Sequence, residues 1–290
     1  MKKEKNTFCL FGASRVGVSL AFHLCRIGLV PEYVWNRSEK GLNRAVEWVP
    51  FNKRFTSIEE CNSRTDWMVI SVSDDSIKYV CNSISKLNIQ FDGIKVFHTS
   101  GFHSSDILKE LELKGCETGS LHPVISVPDI HTGIEKMPSS VYTCEGEIRD
   151  QFCDLVTKIG GQGVKLSSRQ KESVHIAAVF LSNYNLVLIN AIKKLCDSEG
   201  VSSDETKLIL KRLSMQAIDN GWEKTLEESL TGPISRGDAE TVGKHIEFLK
   251  NNPELLSLYR EYGTLTTKVV EESNILSEDL LRQILTKLKE

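Results

Sequence analysis

The chain of 290 residues has eight cysteines and no C-x-x-C pair, and seven dispersed histidines with no H-x-x-x-H pair. A zinc site is therefore not expected, and the thiols read as small hydrophobes of a reducing compartment. Charge of one sign is missing too. Thirty-six basic side chains stand against 39 acidic ones, for a net charge of −3, spread evenly along the sequence. Without a basic face or interleaved aromatics, nucleic acid is excluded as a partner. The first residues carry lysines but lead straight into an apolar strand, which is not the build of a signal peptide. The most apolar stretch, Val174 to Ile192, is interrupted by His175, Ser182, Asn183, Asn185 and Asn190. It is expected to be a buried helix rather than a membrane span. Internal repeats and low-complexity linkers are absent. What remains is a soluble, cytoplasmic protein long enough for one large or two modest domains.

What is present begins at residue 8. Phe8-Cys9-Leu10-Phe11 is a short apolar run, followed at once by Gly12-Ala13-Ser14-Arg15-Val16-Gly17, a helical pattern to Gly28 and a second run ending in Val34-Trp35-Asn36-Arg37-Ser38. Strand, glycine turn, helix, strand is the order that binds a dinucleotide pyrophosphate. Gly12 allows the tight turn and Gly17 lets the helix lie close on the sheet. The helix N-terminus presents N–H groups and a partial positive charge to the phosphates. Ser14 stands where a second glycine normally lets the backbone approach. A carboxylate at the end of the second strand would favour NAD; here Asn36, Arg37 and Ser38 suit a 2′-phosphate, so the expected cofactor is NADP.

Strand and helix patterns alternate to about residue 100, as in a parallel sheet with right-handed crossovers. A buried strand, Asp66 to Val72, runs into Ser73-Asp74-Asp75-Ser76, with Asp75 or Ser76 as a candidate N-cap and Val72, Ser73 and Asp74 as further cofactor contacts. The next strand ends in Phe97-His98-Thr99-Ser100-Gly101, and a helical stretch from Ser104 to Lys114 leads to Gly119-Ser120-Leu121-His122-Pro123. Two more strand-like runs, Ser140 to Cys144 and Gly163 to Leu166, flank a helix from Glu147 to Ile159. Beyond Ser167 the pattern is helical throughout. The fold class expected is an α/β Rossmann-like domain with a parallel-rich sheet over residues 1–166, then an all-α domain over 167–290, with a substrate cleft between them.

Four segments in this order resemble one family: Phe97-His98-Thr99-Ser100-Gly101, Gly119-Ser120-Leu121-His122-Pro123, His175 through Ser182-Asn183, and Leu230-Thr231-Gly232-Pro233-Ile234-Ser235-Arg236-Gly237-Asp238. They are similar to the proteins that join a Rossmann-like domain to DUF2520. These sit within a wider superfamily that includes ketopantoate reductase, pyrroline-5-carboxylate reductase, prephenate dehydrogenase and the β-hydroxyacid dehydrogenases. The resemblance implies NADP binding, a helical domain that pairs into a homodimer, and hydride transfer in the cleft; it implies no particular substrate. β-Hydroxyacid dehydrogenases carry a Lys and an Asn four residues apart on the first helix of the second domain. Here Asn183 fills the Asn place and Val179 stands at the Lys place.

His122, His175 and Asn183 are the expected catalytic residues. His122 ends an apolar strand where the cofactor should lie, and its ring could hydrogen-bond a carbonyl or deliver a proton. His98, Ser100, Ser182 and Arg236 are expected at the substrate. The competing readings are a histidine that satisfies backbone groups, a tight turn at Ser100-Gly101, and an Arg236 that pairs with Asp238 or Glu240. Asp238 is placed to N-cap a helix starting at Ala239. The function expected is hydride transfer to or from a small polar, anionic substrate. A non-catalytic NADP(H)-binding sensor or scaffold is the alternative.

Overall fold

The computed structural model describes residues 6–290, which separate into two compact units, one up to Leu181 and the other Ser182–Glu290. The expected boundary at 166/167 falls instead just before a helix that runs through the change of unit.

The first unit is an eight-stranded sheet. In chain order it comprises β1 (Thr7–Phe11), α1 (Arg15–Arg26), β2 (Val30–Trp35), α2 (Glu39–Val46), β3 (Lys53–Phe55), β4 (Trp67–Ile70), α3 (Asp74–Ile84) and β5 (Lys95–His98). There follow α4 (Lys109–Glu112), β6 (Glu117–Pro123), α5 (Ile130–Lys136), β7 (Val141–Gly146), α6 (Arg149–Ile159), β8 (Gln162–Lys165) and α7 (Ser168–Ala178). The spatial order is β3-β2-β1-β4-β5-β6-β7-β8. All neighbours are parallel except β6 and β7, which pair antiparallel with Leu121 opposite Cys144. The strands are apolar runs because both faces are covered. Phe8 and Leu10 of β1 join Val34, Val69, Phe97 and Leu121 under α1 and α6, while Cys9 and Phe11 join Tyr33, Met68 and Ile70 under α3. Phe152 of α6 packs edge-on against Phe97 with ring centroids 5.2 Å apart. All eight cysteines are free thiols, and burial pushes the Cys9 thiol up to about 12.

Local chemistry moves two expected boundaries. The residue capping α3 is Ser73, not Asp75 or Ser76, so both aspartates fall in the first turn, where a helix N-terminus favours negative charge. Between Ser104 and Lys114 the chain makes a tight 3₁₀ turn (Ser105–Leu108) before the single turn of α4, rather than one continuous helix.

The second unit holds α8 (Asn185–Ser198), α9 (Ser203–Glu223), α10 (Leu226–Ser229), α11 (Ala239–Leu249), α12 (Pro253–Glu272) and α13 (Glu278–Lys289). Asp238 does cap α11, accepting from Thr241 N at 2.9 Å. Ile234, Val242, Ile246, Ile284 and Leu288 form a small core among the last three helices. The α8–α9 hairpin is different. Thr206 is its only buried side chain, and Leu208 (81% exposed), Trp222 (75%), Leu186 (66%) and Val187 (65%) face outward. Residues Ser168–Ser198 form one helix, with a π-helical turn at Val179–Tyr184, that is long and apolar enough to cross a membrane by length and composition. Its apolar window is not buried at all, so the buried helix expected from Val174 to Ile192 is corrected to an exposed one. Hydropathy reports what a segment would bury and not what covers it.

Candidate functional site

The turn after β1 is built as the sequence implies. Gly12 has φ of +96°, and a Cβ there would lie 2.5 Å from Ser71 O, so only glycine fits. A Cβ on Gly17 would meet the Ser71 side chain at 2.5 Å, which keeps α1 tight on the sheet. Ser14, in the place of the second glycine, is the N-cap of α1: its hydroxyl accepts from Gly17 N at 2.9 Å. Arg15 and Val16 supply first-turn N–H groups of the kind that an α-helix leaves without an intrahelical partner.

Gly12, Ala13, Ser14, Asn36, Arg37, Ser71, Val72 and Ser73 line a groove of about 630 Å3, together with Arg44 and Glu59. Within it the three residues after β2 divide their work. Asn36 Oδ1 accepts from Ala13 N at 3.1 Å, and Asn36 Nδ2 donates to Ser38 O at 3.1 Å and Ser38 Oγ at 3.2 Å. Ser38 caps α2 by accepting from Gly41 N at 3.3 Å. These two side chains brace the turn, a role the sequence reading did not assign them. Arg37 is exposed, and Arg44 of α2, missed in the sequence, donates to Ala13 O beside it. Two guanidiniums on one rim fit a phosphate monoester; Glu59, held by the Ser57 hydroxyl, is the acid on the same groove.

A line of hydroxyls leads away from this turn. Ser14 Oγ lies 2.6 Å from Ser71 Oγ, which lies 2.7 Å from Thr99 Oγ1 at the end of β5. Thr99 O then holds His122 Nδ1 at 3.0 Å. A carbonyl only accepts, so Nδ1 carries the proton and the neutral ring presents its lone pair at Nε2. Burial first, then the Lys171 and His175 charges, push His122 down to about 4 against the pull of the Thr99 carbonyl and Asp74. At neutral pH it is an acceptor, not the proton donor the sequence left open.

His122 and His175 meet over Gly101. A Cβ on Gly101 would lie 2.6 Å from His175 Nδ1 and 2.9 Å from His122 Nε2, and the two rings are 6.3 Å apart at their centroids. Phe102 packs on the other flank of His175 at 5.8 Å. His98 does not join them. It is fully buried, its Nε2 donates to Ser104 O at 3.1 Å and its Nδ1 accepts from Ser100 N at 3.2 Å. Ser100 Oγ likewise accepts from Phe102 N and His103 N. Both residues expected at the substrate are spent on shaping the 98–104 loop. Burial, then Lys171, pushes His98 down to about 3.

Lys171 was not anticipated. It is 1% exposed, and its ammonium donates to Ser100 O at 2.8 Å and to His103 O. Lys171 lies two turns before Val179 on the same stripe of the helix, four residues before His175. Glu145, also buried, accepts from Ser105 N at 2.8 Å, and from Ser105 Oγ and Ser168 Oγ at 3.0 Å each. Ser182, Asn183 and Arg236 belong to the second unit and are exposed there. Among the described residues Arg236 makes no ion pair: Asp238 is occupied with Thr241 and Glu240 with Lys244.

Residues 1–123 match the Rossmann-like domain and residues 140–266 match DUF2520, a domain of unknown function. A candidate NADP oxidoreductase from Bacteroides fragilis superposes with TM-score 0.71 at 19% identity, covering 93% of this chain and 99% of that one. An imine reductase from Myxococcus stipitatus in complex with NADP+ gives 0.69 at 13% identity, over 98% of this chain and 100% of that one. A reductive aminase from Aspergillus terreus in complex with NADPH and ethyl levulinate gives 0.68 at 16% identity, over 97% and 98%. At such identities the likeness is one of fold. A multidrug resistance ABC transporter ATP-binding and permease protein from Lactococcus lactis is 27% identical over 110 residues, 37% of this chain. The chain spans only 18% of that protein's length, and the match carries no argument. By its two domains, in order and together taking in most of its length, the chain belongs with the proteins that join a Rossmann-like domain to DUF2520.

Proposed function

We propose that this chain is an NADP(H)-dependent oxidoreductase acting on a small polar, anionic substrate. One observation carries the reading: hydroxyl contacts run from Ser14 through Ser71 to Thr99, whose own carbonyl holds His122, so one residue joins the glycine turn to a neutral imidazole. The bound nicotinamide would supply or accept the hydride. The chain's own part is to seat the pyrophosphate on the Arg15 and Val16 N–H groups and the 2′-phosphate between Arg37 and Arg44. Neighbours of the same fold that carry NADPH and NADP+ support this assignment.

His122 offers only a lone pair, so it accepts the proton of a substrate O–H or N–H rather than protonating a carbonyl. His175 shares that side of Gly101 and orients the same group. Arg236, exposed and in no ion pair among the described residues, is the guanidinium offered to an anionic substrate group. Asn183 and Ser182 stay as further contacts. A non-catalytic NADP(H) sensor is the second reading, favoured by Val179 at the place of the superfamily lysine.

The uncovered α8–α9 hairpin is assigned to a second copy of the chain. Large exposed apolar patches mark interaction surfaces, and a homodimer formed hairpin to hairpin buries the same residues of both copies. Experiment separates the functional readings: NADP+ reduction is followed with a panel of 2-hydroxyacids and amino acids, the direction in which His122 accepts the substrate proton. His122→Ala is expected to lower turnover by roughly 10²-fold with NADPH affinity nearly unchanged. Tight NADPH binding without turnover on any compound would favour the sensor.

A further inference from the structure

Lys171 is a buried amine with no carboxylate within ion-pair distance among the described residues, a costly placement that the proposed chemistry does not use. Glu145, a buried acid whose charge acts on Lys171, spends its oxygens on Ser105 and Ser168. The ammonium instead gathers two carbonyls of one short loop, Ser100 O and His103 O. Gly101, between them, is the floor on which His122 Nε2 and His175 Nδ1 converge. We propose that Lys171 is a positioning residue: it fixes Gly101 beneath the two imidazoles and, as a fixed cation, keeps the His122 ring an acceptor. This deepens the oxidoreductase reading, resting on the part His122 plays in it.

The charges around His122 support the assignment from each element packed on it. Lys171 and His175 on α7 oppose a positive ring, Asp74 on α3 favours one, and His98 on β5 stays neutral. Lys171 itself is pushed by burial to about 8, with Glu145, Asp74 and Glu172 resisting. A cation in contact with a titrating ring through a shared loop is worth more here than in water, because the surroundings are dry. An uncharged side chain of the same length would brace the loop by packing but would release His122 to accept a proton.

The test is an NMR titration of the full chain labelled in histidine and glycine, without cofactor, the His122 signal being assigned by its loss in His122→Gln. In the wild type the His122 ring is expected to hold the Nδ1–H tautomer and titrate near 4. Lys171→Met should raise that midpoint by about one unit or more, a tenfold gain in protonation at a given pH. Lys171→Arg should keep it low. In the wild type the Gly101 amide should also inflect near pH 8, as Lys171 loses its proton, and this inflection should vanish in Lys171→Arg. An unchanged His122 midpoint in Lys171→Met, an arginine variant that behaves like the methionine one, or a wild-type Gly101 signal flat through pH 8 would each overturn the assignment. Should Lys171→Met not fold, the alkaline inflection and the arginine variant decide alone. A chain that passes this test but fails to bind NADPH would overturn the cofactor reading and leave the role of Lys171 standing.

Discussion

His98 makes the folded protein sensitive to acid in a way that can be computed. Its ring is buried and neutral, with both nitrogens bonded to backbone, and burial holds it down at about 3. In the unfolded chain a histidine titrates near 6.5. The folded value lies below the unfolded one, so between these values the unfolded chain binds a proton that the folded chain refuses. Stability is therefore fully present above about pH 6.5 and lost as pH falls toward 3. From the ratio of the two titration curves, lowering pH from 7 to 5 removes about 2 kcal/mol through His98 alone. His98→Gln cannot be protonated and keeps an amide to donate to Ser104 O. Urea unfolding, followed by the fluorescence of Trp35, Trp48 and Trp67, should show the wild-type midpoint falling further than the variant's between those pH values. With a urea slope of about 2 kcal/mol per molar, the extra fall is roughly 1 M. Contributions from His122 and the carboxylates are common to both proteins and cancel. Acid limbs that superimpose would refute the reasoning.

Other expectations follow from particular contacts. Gly101→Ala places a methyl 2.6 Å from His175 Nδ1, so that ring must recede by nearly an ångström; melting should shift by a few degrees at most while turnover falls about 10²-fold. Unchanged turnover would remove the imidazole pair from the mechanism. Leu208→Glu and Trp222→Glu, both on the exposed hairpin, should convert a dimer to a monomer by light scattering at micromolar concentration, and a wild-type monomer would refute the assembly. Arg236→Ala should raise KM and leave the melting temperature near wild type; a lowered melting temperature with unchanged KM would make it a brace.

The parts of this fold that were legible in the sequence are those set by local steric rules. A glycine at positive φ followed by a close helix leaves a spacing that can be read, and Asp238 before Ala239 is a cap by its chemistry alone. The hidden parts depend on which partner wins. Asn36 and Ser38 are polar residues beside an expected phosphate, yet their bonds to Ala13 and Gly41 were closer to hand. His98 and Ser100 carry functional chemistry and spend it on their own loop. Lys171 looks in sequence like any helix lysine with its head in water. Only the carbonyls of a loop some 70 residues earlier make it a buried cation. The exposure of the long helix is hidden for a related reason, since its apolar face is real but hydropathy does not say what covers it.

Arg37 and the turn after β1 are proposed here to form an NADP site. Fluorescence titration with NADPH and NADH, on the wild type and on Arg37→Ala, tests it most directly. A charge-assisted contact to a 2′-phosphate is worth about 1.5–3 kcal/mol, so NADPH should bind at least tenfold tighter than NADH, and the variant should lose that margin while its NADH affinity stays within about twofold. Equal affinity of the wild type for both dinucleotides, or no binding of either, would contradict the account.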